Sequence, residues 1–350
     1  MTYRIEERLL HFKQPAGTSR GVYTTRKIWL VHLSDGQHEG VGECAPLPDL
    51  SCDAMEDEQY AALLNNFCKD FCKALEGHNG DCPQCVLSIL SNLRDYPSML
   101  FGLETALFHL QNGDRLFDTA FSRGETGIPI NGLVWMGNHE EMLQRLEEKL
   151  EKGFRCIKLK IGAIDFDQEL DLICRIRDRF SFHEVELRVD ANGAFPYDEA
   201  LYKLELLSQY NIHSIEQPIK AGQWAFMADL CRESPLRIAL DEELIGLNDP
   251  AMKRHMLNII KPRYIILKPS LHGGMAGCRE WIETARDLGI GSWITSALES
   301  NIGLNAIAQF AASVYGDYIT MPQGLGTGQL FTDNIPMPLE IRNDQLWRCL

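Results

Sequence analysis

Charged residues close a series of short aliphatic runs at a nearly constant interval, and that interval limits the fold of this 350-residue chain more than any other feature. Lys158 and Lys160 stand in C-I-K-L-K-I-G, and Asp190 closes E-L-R-V-D. Glu216 closes H-S-I-E, Asp241 closes R-I-A-L-D and Lys268 closes Y-I-I-L-K. Successive sites lie about 25 to 30 residues apart, room for one strand, one helix and two loops, which is the repeating unit of a parallel barrel. Side chains alternate along a strand, so Lys158 and Lys160 share one face while Ile157, Leu159 and Ile161 share the other. If these strands line a barrel, three amines and three carboxylates converge on its interior. Such charges need mutual pairing and a compensating ion.

The rest of the chain supports that reading. Strand-like segments begin near Ile128, Arg155, Val185, His213, Leu236, Tyr264, Gly291 and Tyr318. Helical patterns begin near His139, Phe166, Tyr197, Gln223, Asn248, Gly274 and Asn301. Eight strands with seven intervening helices predict a (β/α)7β barrel over residues 126–324. An open doubly wound sheet is disfavoured because no Gly-rich turn opens a long helix. Residues 1–125 instead read as strands followed by helices, an α+β capping domain, with 325–350 expected to return to it. Tyr3–Phe12 and Val22–Leu33 read as strands joined by a polar loop, Lys13–Gly21, which we expect to close over the barrel mouth with Arg20 near the substrate.

Net charge is −15, which argues against nucleic acid or an anionic membrane as the main partner. The N-terminus lacks a signal-like apolar stretch and no run reaches membrane-spanning length, so the eleven cysteines read as reduced cytoplasmic thiols. Cys68, Cys72, Cys82 and Cys85 could offer zinc four thiolates. The helical spacing of the first two favours small buried hydrophobes instead. The sequence leaves the oligomeric state open.

Asp190, Glu216 and Asp241, at the ends of consecutive strands, can meet at one cation. An oxygen-only set with room for a substrate carboxylate suits Mg²⁺, with Mn²⁺ as the alternative, and the lack of His or Cys disfavours zinc. Such an ion stabilises the enediolate left when a proton α to a carboxylate departs, and neighbouring positive charge readies a lysine as base.

The ordered set K-x-K, Asp, Glu, Asp, Lys resembles the enolase superfamily, muconate-lactonizing-enzyme subgroup. The resemblance spans nearly the whole chain and includes G-E-C-A-P-L-P (Gly42–Pro48) and F-G-L-E-T-A-L-F-H-L (Phe101–Leu110). L-K-P-S-L-H-G-G, T-S-A-L-E-S-N-I-G and G-L-G-T-G-Q-L-F are most similar to the o-succinylbenzoate synthase family, although Gly326 stands where that family's loop often carries an acid. That resemblance implies a hydro-lyase of menaquinone biosynthesis. It would convert 2-succinyl-6-hydroxy-2,4-cyclohexadiene-1-carboxylate to o-succinylbenzoate by syn-dehydration. It implies Lys160 as base and then acid, Lys268 supporting the enediolate by a cation–π contact, and Lys158 polarising the carboxylate. It places Mg²⁺ on Asp190, Glu216 and Asp241. Arg188 and Asn192 match polar site positions, and Thr295, Ser296 and the backbone at Gly324 would hold the succinyl tail. An N-succinyl amino acid racemase, or another enzyme of the subgroup, is the alternative, since lysines on opposite faces serve racemisation equally well. A non-catalytic binding protein on the same fold is more distant, because all six charged residues are retained.

Overall fold

The computed structural model describes residues 1–18, 21–76 and 84–349, with the side chains of 17–18 and 84–87 left out. Three antiparallel strands come first: β1 (Thr2–Thr18), β2 (Gly21–Ser34) and β3 (Glu39–Cys44). The expected polar loop at 13–21 is largely strand. The ladder slips between His11 and Ala16, then resumes as Ala16↔Tyr23, Gly17↔Val22 and Thr18↔Gly21. Pro15 is tolerated there because β1 is an edge strand, where a missing N–H need not interrupt the sheet. Arg20 lies outside the described residues.

Helices α1 (Asp57–Leu75), α2 (Gln84–Asn92) and α3 (Pro97–Asn112) follow. Helix α1 buries Tyr60, Leu64, Cys68, Phe71, Cys72 and Leu75, an i, i+4 stripe that places both cysteines in the apolar core with Trp29, Val31 and Leu103. Of the other two candidate zinc thiols, Cys82 is outside the described residues and the side chain of Cys85 is not described. Helix α3 sits so close to β3 that a Cβ on Gly42 would lie 1.8 Å from the Gly102 carbonyl. The G-E-C and F-G-L-E motifs therefore meet, each needing its glycine for backbone-to-backbone approach.

The barrel strands are β5 (Gly132–Val134), β6 (Cys156–Lys160), β7 (Glu186–Asp190), β8 (Ser214–Glu216), β9 (Ile238–Leu240), β10 (Tyr264–Leu267) and β11 (Gly291–Ile294), in that spatial order and all parallel. Helices α4 (His139–Glu151), α5 (Phe166–Arg179), α6 (Tyr197–Ser208), α7 (Trp224–Glu233), α8 (Pro250–Ile260), α9 (Gly274–Asp287) and α10 (Asn301–Tyr315) alternate with them or follow the last. Their apolar stripes pack on the outward faces of the strands around Ile157, Leu187, Ile215 and Ile265.

Two expected strands differ. The one from Ile128 divides: β4 (Ile128–Pro129) pairs with the C-terminal hairpin, and the barrel strand starts at Gly132. The one from Tyr318 shrinks to Gln323 and Gly324, which bridge to Ile130 on one side and Thr295 on the other and so close the barrel. Tyr318 is 89% exposed, and Pro322 has no N–H to donate, so regular pairing begins only after it. Past this closure the chain crosses to β1, where Phe331 packs on Phe12 with ring centroids 4.5 Å apart. The final hairpin, β12 (Leu339–Arg342) and β13 (Gln345–Arg348), pairs with β4 rather than with the N-terminal sheet. No helix among the described residues is long and apolar enough to cross a membrane.

Candidate active site

The register of the parallel sheet places the charged residues side by side. Lys160 lies opposite Asp190 and Asp190 opposite Glu216. Asp241 and Lys268 each come one residue after their strands. Short strands set these residues at the C-terminal rim, and the helices outside leave the side chains only the interior to enter.

Each amine meets a carboxylate. Lys158 Nζ lies 2.8 Å from Asp190 Oδ2 and 2.5 Å from Glu216 Oε2, and Lys160 Nζ lies 2.8 Å from Asp190 Oδ2. Lys160 also donates to Asn192 Oδ1 at 2.7 Å, and Lys268 pairs with Asp241 Oδ2. All six groups are buried or nearly so. Burial alone would push the Lys158 amine down, but Asp190, Glu216 and Asp241 together hold it above its ordinary value. Burial likewise disfavours the Asp190 carboxylate, yet Lys158 and Lys160 keep it below the usual range. Glu216 goes the other way: burial and the adjacent Asp190 charge raise it well above an ordinary glutamate. The amines thus neutralise two carboxylates more effectively than three.

Two oxygens in this cluster, Glu216 Oε1 and Asp241 Oδ1, are buried without a hydrogen-bond donor. A buried carboxylate oxygen without a donor is costly, and a cation is the partner that suits it. As they stand, no three His, Cys, Asp or Glu side chains among the described residues are gathered to hold an ion, because Lys158 bridges Asp190 and Glu216 while Lys268 covers Asp241.

A cavity of about 560 Å³ opens above the cluster. Lys158, Lys160, Asp190, Asn192 and Lys268 reach its floor, with Thr295, Ser296 and Gly324 at its side. Gly324 packs against Thr295 so tightly that a Cβ would fall 2.0 Å from Thr295 Oγ1, which explains the glycine. Thr295 Oγ1 donates to the Gly324 carbonyl at 2.9 Å, and the Ser296 and Thr327 hydroxyls are 2.5 Å apart. Phe12, Lys13, Ala16, Leu47 and Leu50 roof the cavity from the capping domain, so the 13–16 segment does reach the mouth, as strand rather than loop.

Arg188 does not join them. It is 2% exposed and points into the lower barrel, where it pairs with Glu186 at 2.7 Å, donates to the Pro322 carbonyl at 2.9 Å and lies over Trp293. Its position two residues before Asp190 gives it the same facing but one layer lower, and its fork is already occupied. Sequence reasoning missed Glu242, which lines the cavity and accepts from Asn192 Nδ2 at 3.0 Å. The acidic run D-E-E after β9 was the available signal. Leu47 and Leu50 had none, because only the docking of one domain on the other brings them over the cavity.

The family model described as Enolase C-terminal domain-like matches residues 141–346, and the model described as MenC, N-terminal domain matches residues 18–110. The o-succinylbenzoate synthase of Desulfotalea psychrophila is 47% identical, covering 97% of this chain and 96% of the relative. That of Haemophilus influenzae is 25% identical over 83% of this chain and 80% of its own. Among solved structures, MenC from Desulfotalea psychrophila LSv54 aligns with a TM-score of 0.81 at 42% identity, covering 99% of both chains. The L-Ala-D/L-Glu epimerase from Bacillus subtilis aligns at 0.80 with 20% identity over 99% of this chain and 96% of its own, a likeness of fold alone.

Proposed function

The chain belongs to the enolase superfamily, in its muconate-lactonizing-enzyme subgroup, and from that premise we propose that the buried amines and carboxylates at the barrel rim are its catalytic machinery. The reaction is that of the o-succinylbenzoate synthases, a carbon–oxygen lyase step of menaquinone biosynthesis acting on a small carboxylate. The observation that carries the residue assignment is the pairing of Lys160 and Lys268 with different carboxylates on the floor of one cavity.

Lys160, as the free amine, takes the proton from the ring carbon that bears the carboxylate. The electron pair left behind forms the enediolate, then returns to the ring and expels the hydroxyl from the neighbouring carbon. The Lys160 ammonium gives its proton to that leaving oxygen, so water departs, the ring becomes aromatic and the amine is restored. Lys268, approaching from the strand across the site, supports the negative charge by a cation–π contact, and Lys158 polarises the carboxylate. Asn192 orients Lys160 through its amide oxygen, while Thr295, Ser296 and the backbone at Gly324 hold the succinyl tail. Asp190, Glu216 and Asp241 would hold Mg²⁺, which supplies positive charge beside the substrate carboxylate; the donorless oxygens of Glu216 and Asp241 support this fit. In this reading residues 1–125 form the cap and 126–324 the catalytic barrel, and the enzyme works in the cytoplasm.

The test is a paired assay on one preparation, dehydration of the cyclohexadiene substrate against racemisation of N-succinyl amino acids. Faster dehydration supports the reading, whereas the reverse ranking replaces the reaction and leaves the superfamily standing.

A further inference from the structure

Leu298 carries a backbone conformation that a leucine rarely adopts, with φ of 65°, and its side chain lines the cavity. Branched residues in the left-handed region persist only where surrounding bonds impose it. Here the bonds are visible. Arg26 reaches in from β2 of the capping sheet, is 3% exposed, and donates Nε to the Leu298 carbonyl at 3.2 Å. Its two other nitrogens donate to the carbonyls of Ala45, at 2.5 Å, and Pro46, in the segment leading to the roof residues Leu47 and Leu50. On the far side of the turn, Glu299 accepts from the Ala297 N–H at 2.6 Å and from the Ser270 hydroxyl at 2.5 Å, two residues past Lys268. Glu299 and Glu43 are the negative charges that act on the guanidinium.

We propose that Arg26 is a positioning residue for the substrate: by fixing the left-handed turn at Leu298 against the cap, it sets the apolar wall beside the Thr295–Ser296 ledge and so determines the fit of the substrate's non-reacting tail. The proposal rests on the reading that this ledge holds the tail. A lysine cannot reproduce it, because three carbonyls in three directions require the guanidinium fork. Arg26 touches none of the amines or carboxylates of the floor, so its effect falls on binding rather than on proton transfer.

Arg26→Lys tests this, checked first for a folded barrel by its melting curve. KM for the cyclohexadiene substrate should rise about tenfold with kcat within about twofold, since a displaced wall costs uniform binding. Backbone amides of 296–300 should exchange with deuterium about tenfold faster while β6 and β7 stay protected. In a Leu298→Gly background the Arg26→Lys penalty on KM should shrink, because glycine takes a φ of 65° unaided. If Arg26→Lys does not fold, Glu299→Gln loosens the same turn from its other side and should give the same KM and exchange pattern.

Unchanged KM and unchanged exchange overturn the proposal. So does a fall in kcat at constant KM, or a penalty that Leu298→Gly leaves intact. Should the wild type fail to dehydrate the substrate, the reaction reading fails instead, and the exchange measurement still decides the role of Arg26.

Discussion

Two places in this molecule bury several charges, and they solve the problem differently. Where the cap meets the barrel, Glu43 accepts the N–H groups of Ser300 and Gly303 at the start of α10, both at 2.8 Å. Glu104 accepts those of Met275 and Ala276 at the start of α9, at 2.6 and 3.1 Å. Arg26 spends its guanidinium on three carbonyls. Apart from the Ser300 hydroxyl, which also donates to Glu43, these partners are backbone groups fixed by the fold, and for the two carboxyls they are helix N-termini that favour negative charge. On the barrel floor, apart from the Asn192 N–H on Asp190, the partners are other side chains, shared and incompletely satisfied: one Asp190 oxygen serves two lysines, while Glu216 and Asp241 each keep a donorless oxygen. Backbone-satisfied charges hold two domains together. Charges that depend on each other can exchange protons and admit a ligand, and the difference should appear in mutants.

The largest effect belongs to Lys160. Lys160→Ala should cut dehydration by about 10²- to 10⁴-fold with little change in melting temperature, read by product formation and by loss of solvent deuterium uptake at the substrate α-carbon. Asp190→Asn comes next. It should lose about 100-fold or more in turnover together with the Mg²⁺-dependent rise in melting temperature expected of the wild type. A variant that keeps that rise would remove Asp190 from the ion's ligands.

Lys268→Arg should be milder for dehydration, since it keeps a positive charge opposite Lys160, and measurable turnover should survive. Two-way racemisation of any N-succinyl amino acid should disappear, because a guanidinium does not exchange protons near neutral pH. Loss of both activities together would show that the amine itself, rather than its charge, is needed.

The smallest effect, and the one that sharpens the comparison, concerns Glu104. Burial raises its carboxyl from 4.5 to about 7, only partly opposed by the two N–H groups it accepts. The folded state therefore holds this proton more tightly than the unfolded chain. Its stabilising contribution is complete below 4.5, is lost as pH rises toward 7, and is constant beyond. Relative to Glu104→Gln, wild-type stability should fall across that window, measured by denaturant midpoints, while the variant keeps catalysis. A pH-independent difference would mean the helix end keeps Glu104 ionised throughout.

Much of the site was legible because barrel chemistry is written along single strands. Strand period and the βα interval suffice to put Lys158, Lys160, Asp190, Glu216, Asp241 and Lys268 on one rim, and the register sets Lys160, Asp190 and Glu216 side by side. What a one-dimensional reading could not decide was depth. Arg188 has the facing of Asp190 but sits a layer lower, tied to the closing segment at Pro322. Nor could local pattern show that strand pairing would run on past His11, or that the eighth strand would come down to Gln323 and Gly324. Those outcomes depend on which distant backbone offers partners.

By itself, then, the order of residues determined the barrel, the charged residues of its rim and the two glycine-bearing motifs of the cap, because alternation, interval and charge are local properties. The tertiary structure alone decided how the cap closes the cavity, that Glu43 and Glu104 would meet the ends of α10 and α9, and that Leu298 would be held left-handed by Arg26. Each of these joins residues more than about 170 positions apart, and only packing of the finished surfaces brings such groups within bonding distance.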